Sequence, residues 1–138
     1  MPSQQTRILI VEDNLNMQSF IYKTIFDLRE NMVVHFVSNG EDALTYLDRT
    51  RPNLVITDLL MPRLNGIDLM RKVRDEHGLE YVRFMLVTGG LTTDVGMCEA
   101  DIKSMFGCII VRKPFRPAFL RATVNYLLEE VENEQVGS

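Results

Sequence analysis

Long apolar runs are missing from these 138 residues: the longest, such as Ile8–Val11 and Phe84–Val87, are four residues. A membrane-spanning helix needs ~20. The stretch Met1–Arg7 has no apolar core of the kind a secretory signal carries, so a reducing compartment, the cytoplasm by default, is the expected location. Cysteine is scarce. Cys98 and Cys108 have neither CxxC spacing nor a nearby histidine, which argues against a metal cage or disulfide framework and leaves both as small buried hydrophobes. Positive charge is not in excess: 15 Lys+Arg against 19 Asp+Glu leave a formal charge of -4. No overall field therefore draws the chain to nucleic acid, and direct nucleic-acid binding is not expected. The usual nucleotide cradles, GxxxxGK[ST] and GxGxxG, are absent. Neither His35, within a strand-like run, nor His77, at a helix end, has a Ser or Cys partner for a nucleophilic triad.

What is present is an ordinary globular balance, 46% hydrophobic and 25% charged. The expectation is one domain over residues 1–138, with its core at about 6–131 and an acidic end, 132–138, that frays. Short β-branched runs recur at Arg7–Val11, Met32–Ser38, Asn53–Thr57, Arg83–Thr88 and Cys108–Val111. Helical spacing fills the intervals. The first helix is expected over Asn14–Leu28, with Met17, Phe20, Ile21, Thr24, Ile25 and Leu28 on its inner face. Others are expected at Glu41–Arg49, Gly66–Glu76 and Thr92–Met105, and a last one packs Leu120, Val124, Leu127, Leu128 and Val131 with Pro117 in its first turn. The fourth is the weakest, because Gly96 interrupts it. Strands apolar along their whole length suit a parallel sheet covered on both faces, so the fold class is α/β, five βα units in a doubly wound three-layer sandwich.

In such a sheet, ligands bind beyond the carboxyl ends of the strands. Those ends carry Glu12–Asp13, Asp58, Thr88 and Arg112–Lys113–Pro114. Three acids within a few ångströms repel one another unless a cation intervenes. All-oxygen donors with room for water favour Mg²⁺, or Mn²⁺, over zinc. The pair Glu12–Asp13 also suits the start of a helix near Asn14, where the helix dipole favours acids. Met61–Pro62 and Gly66 read as loop shape around Asp58.

Taken together, VEDN at Val11–Asn14, TDLLMPRLNG at Thr57–Gly66, VTGG at Val87–Gly90 and RKPF at Arg112–Phe115 make the chain resemble, over nearly its full length, the receiver domain of bacterial two-component response regulators. The resemblance implies a flavodoxin-like, CheY-like sheet with strand order 2-1-3-4-5. It implies that Asp58 is the phosphoacceptor, that Glu12, Asp13, Asp58 and the Leu60 backbone carbonyl hold Mg²⁺, and that Thr88 and Lys113 contact the phosphoryl group. It also implies a cis bond before Pro114. The donor would be a phosphohistidine of a sensor histidine kinase or phosphotransfer protein, and the output face the fourth helix, fifth strand and fifth helix, which would engage a downstream protein or, on phosphorylation, a second copy of the chain.

These roles suit phosphoryl transfer, which asks mainly for positioning and charge neutralisation. Thr88 and Ile110 are the expected switch. The family commonly places an aromatic where this chain has Ile110, so any switch here relies on smaller repacking against Val95 and Ile102. Leu60 and Gly90 flank the site without polar side chains to orient water, and slow self-dephosphorylation is expected. Two other readings are a pseudo-receiver that only binds partners and a haloacid-dehalogenase-like phosphatase; the latter needs an acid two residues after its nucleophile, where Leu60 stands.

Overall fold

The computed structural model describes residues 5–78, 80–89 and 95–136. Five strands, β1 (Thr6–Val11), β2 (Met32–Val37), β3 (Leu54–Asp58), β4 (Arg83–Thr88) and β5 (Ile109–Arg112), alternate with five helices, α1 (Leu15–Ile25), α2 (Gly40–Arg49), α3 (Gly66–His77), α4 (Glu99–Phe106) and α5 (Pro117–Val136). The strands form one sheet in the order β2-β1-β3-β4-β5, every pairing parallel. That is the order the family resemblance implies.

Period-two alternation divides the core in two. Ile8 and Ile10 of β1, with Leu54, Ile56, Met85, Val87 and Val111, face α1 and α5 through Ile21, Ile25, Leu120, Val124, Leu127 and Leu128. Leu9 and Val11, with Val55, Phe84 and Leu86, face α2, α3 and α4 through Ala43, Leu47, Leu69, Met70, Val73 and Ile102. Each fully buried aliphatic side chain contributes about 1.5–3 kcal/mol over leaving it in water. The same accounting explains why β1, β3 and β4, paired on both sides, are the apolar runs of the sequence. β2 pairs only with β1, and its His35 and Phe36 are exposed.

Asparagine starts three of the helices. The side chains of Asn14, Asn39 and Asn65 accept the backbone N–H of Met17, Asp42 and Asp68 at 2.8–2.9 Å, satisfying donors that a helix leaves open in its first turn. These caps set the starts of α1 and α3 close to expectation and that of α2 one residue earlier than expected.

Four expectations need correction. α1 ends at Ile25 and not Leu28, because the Leu28 N–H turns back to the Ile25 carbonyl at 3.0 Å and tightens the chain out of the helix. α4 begins at Glu99: Gly96 has φ +78°, which an α-helix does not accommodate, and positions 92–94 of the expected helix lie outside the described residues. α5 continues to Val136, past Val131, the expected end of the core, and positions 137–138 of the expected tail lie outside the described residues. Arg29 holds Glu132 at 2.9 Å, while Arg83 holds Glu130 at 3.0 Å and also pairs with Glu134, so the acidic stretch is used for tying α5 to the rest of the fold. Cys98 is exposed, at the start of α4, and only Cys108 is buried. No described helix is long and apolar enough to cross a membrane.

Candidate functional site

β1 and β3 end side by side, and at their carboxyl ends lies a pocket of about 510 Å³ lined by Glu12, Asp13, Asn14, Asn16, Met17, Phe20, Asp58 and Lys113. β1 delivers Glu12 and Asp13, β3 ends in Asp58, and Lys113 follows β5. The Lys113 ammonium lies 3.3 Å from Asp58 Oδ2 and 3.4 Å from Glu12 Oε2. Its backbone N–H donates to the Thr88 carbonyl at 2.8 Å, which ties the ends of β4 and β5 together, and the Lys113–Pro114 bond is cis, as expected. Asp58 Oδ1 accepts the N–H of Leu59 at 2.7 Å, and Glu12 Oε1 accepts that of Asn14 at 3.3 Å.

The electrostatics are unbalanced. Glu12 is 2% exposed and Asp58 9%, while Asp13 is exposed at the rim. Burial, with the Asp58 charge added, pushes the Glu12 carboxyl up to about 7, against the opposing pull of Lys113. Carboxylate oxygens of Glu12, Asp13 and Asp58 lie within 4.8 Å of one another. One ammonium among three such groups leaves a deficit of positive charge, and a set made only of hard oxygens fits Mg²⁺ or Mn²⁺.

Of the residues singled out in the sequence, Glu12, Asp13, Asp58 and Lys113 are brought together. Thr88 closes β4, buried, one position beyond the register partner of Asp58. Leu60 is exposed at 43%, and Gly90 lies outside the described residues. Ile110 is half-buried in β5 and packs in the cluster that contains Ile102 and Val95.

Sequence reasoning missed two parts of the site. Phe20 stands at the pocket rim, its ring 5.7 Å from that of Phe115, and not in the core; an aromatic at the edge of an apolar stripe carries no signal that separates the two. Gln18 is buried under the loop after β1 and donates to the Glu12 carbonyl. Its signal was available, as a polar residue in line with Ile21 and Ile25.

Comparison with known proteins bears on this pocket. A family model described as the response regulator receiver domain matches residues 8–125. The DNA-binding response regulator MtrA of Mycolicibacterium smegmatis is 31% identical over 134 residues, covering 97% of this chain and 55% of that protein. The sensor histidine kinase TmoS of Ectopseudomonas mendocina is 36% identical over 128 residues, 91% of this chain and 12% of the kinase. The chain thus spans about half the length of the curated regulators it matches. Among solved structures, the signal receiver domain of a putative Luxo repressor protein from Vibrio parahaemolyticus has a TM-score of 0.83 at 22% identity, covering 98% of each chain. The receiver domain of the sensor histidine kinase PA1611 from Pseudomonas aeruginosa PAO1, solved with a magnesium ion coordinated in its active site cleft, has a TM-score of 0.75 at 24% identity, covering 91% of this chain and 99% of that one.

Proposed function

The chain belongs to the response regulator receiver domain family, and on that premise we propose that it accepts a phosphoryl group on Asp58 from a phosphohistidine of a sensor histidine kinase or phosphotransfer protein. The observation that carries this reading is the convergence of Glu12, Asp13, Asp58 and Lys113 on one pocket, with the Lys113 ammonium 3.3 Å from the Asp58 carboxylate.

The Asp58 carboxylate is the nucleophile, and attack by a carboxylate needs no general base. Its oxygen forms a bond to phosphorus as the P–N bond of the phosphohistidine breaks, and the imidazole leaves with the electron pair. Lys113 places positive charge where the phosphoryl oxygens arrive, a preorganised contribution that requires no rearrangement during the reaction. Glu12, Asp13, Asp58 and the Leu60 carbonyl would hold Mg²⁺, which when bound offsets repulsion between the carboxylate and the incoming anion. Thr88 is the hydroxyl that turns toward the new phosphoryl oxygens. Ile110, in contact with the core beside α4, transmits that change by repacking with Val95 and Ile102, and the α4–β5–α5 face presents it to a partner protein. The product is a signalling state and not a released substrate, so the domain assists its own phosphorylation without turning over a metabolite.

Acetyl phosphate with Mg²⁺ tests the reading. Intact-mass analysis is expected to show the gain of one phosphoryl group by the wild type and none by Asp58→Asn or by the wild type in EDTA. Equal modification of wild type and variant would refute it.

A further inference from the structure

The face of α1 that packs on the sheet presents Gln18, Ile21 and Ile25, all buried. The first is a polar side chain where the spacing calls for an aliphatic one. A primary amide taken out of water there is unfavourable unless it is bonded. Gln18 is 9% exposed, and its Nε2 donates to the backbone carbonyl of Glu12 at 2.5 Å, a buried bond that spans the turn from β1 into α1. Among the described residues no buried side-chain polar atom lacks a partner.

That bond completes a frame around Glu12. Its N–H donates to the Val37 carbonyl of β2 at 3.0 Å, its carboxylate accepts the Asn14 N–H at 3.3 Å, and its carbonyl accepts Gln18. The carbonyl belongs to the planar peptide joining Glu12 to Asp13. Holding it fixes the plane from which two successive carboxylates leave the backbone, one into the buried floor of the pocket and the other onto its rim.

We propose that Gln18 is a positioning residue for the cation site: through the Glu12 carbonyl it sets the relative orientation of the Glu12 and Asp13 carboxylates, and so the affinity for a divalent ion. The inference rests on the cation-assisted reading of the pocket. A residue that merely tied α1 to the sheet would stabilise the fold without affecting metal affinity. A positioning residue acts on affinity.

Calorimetric titration of the intact chain with MgCl₂ separates the two. In Gln18→Met, which keeps an unbranched side chain of similar length and removes the donor, the Mg²⁺ dissociation constant is expected to rise about three- to tenfold. That is less than the ~10–100-fold typical of groups bonded directly to a metal ligand's side chain. With acetyl phosphate as donor, the loss is expected mainly in the Mg²⁺ concentration at half-maximal rate, and raising Mg²⁺ recovers most of the rate. Gln18→Leu also removes the donor, without adding charge, and serves if the methionine variant does not fold. Ile21→Val, a core truncation one turn along the same face, is expected to lower thermal stability while leaving Mg²⁺ affinity unchanged. Affinity within twofold of wild type in the Gln18 variants, or an equal loss in Ile21→Val, would overturn the proposal while the cation-assisted reading stands. Failure of the wild type to bind Mg²⁺ would remove that reading and this inference together.

Discussion

The α-carbon of Gly66 lies so close to the backbone carbonyl of Asp58 that a β-carbon there would sit 2.6 Å from the oxygen. The Gly66 N–H also donates to the Leu59 carbonyl at 2.8 Å. The start of α3 is therefore packed directly on the peptide that carries the candidate phosphoacceptor, and the loop between them closes without room for a side chain.

Gly66→Ala is accordingly expected to destabilise the fold by about 1–3 kcal/mol, the range for overpacking a closed site, and to slow phosphorylation by shifting Asp58. Thermal melting and the rate with acetyl phosphate check this together. An alanine variant with wild-type melting and rate would show that the approach is looser than described.

Lys113 is the one ammonium within salt-bridge distance of Asp58 and Glu12 among the described residues. Removing it as Lys113→Ala is expected to slow phosphorylation by about 10²-fold or more, the usual loss for a preorganised group that meets developing charge. It also removes the pull that lowers the Glu12 pKa, so that carboxyl rises further. Stopped-time mass analysis gives the rate.

The pH dependence follows from Glu12. Its carboxyl, raised from 4.5 to about 7 by burial and by the Asp58 charge, favours the fold in its protonated form when no metal is bound. This contribution is complete below pH 4.5 and is lost as pH climbs through about 7. Mg²⁺ takes the ionised form, so apparent Mg²⁺ affinity is expected to rise by up to about tenfold per pH unit below the Glu12 value and to level off above it. Titrations between about pH 5.5 and 8 test this; a flat profile would contradict it.

The lifetime of the product is expected to depend on Leu60. It is exposed beside Asp58 and offers no polar side-chain atom to a hydrolytic water. Leu60→Asn is expected to shorten the half-life of the acyl phosphate several-fold at constant Mg²⁺, measured by its decay after donor removal. An unchanged half-life removes this explanation.

Much of this was legible in the sequence, for identifiable reasons. β1, β3 and β4 are buried on both faces, so Ile8–Val11, Leu54–Thr57 and Phe84–Val87 stand out as apolar runs, and the carboxyl ends of strands in a parallel sheet mark where the pocket lies. What escaped depends on contacts and backbone angles that the apolar pattern does not show. Glu130, Glu132 and Glu134 look like the start of a solvated tail until Arg29 and Arg83 are seen to hold them. The true start of α4 turns on the backbone angle of Gly96, and the exposure of Cys98 follows from its place before that start. The bond from Gln18 to Glu12 crosses from helix to loop, and side-chain periodicity does not record it.

The central claim is that one carboxylate among three stores the phosphoryl group. Reducing the phosphorylated protein with borohydride converts an aspartyl phosphate to homoserine, and peptide mass mapping then locates the converted residue. Homoserine is expected at position 58 alone. Conversion at Asp13, or phosphorylated protein with no conversion at position 58, would contradict it.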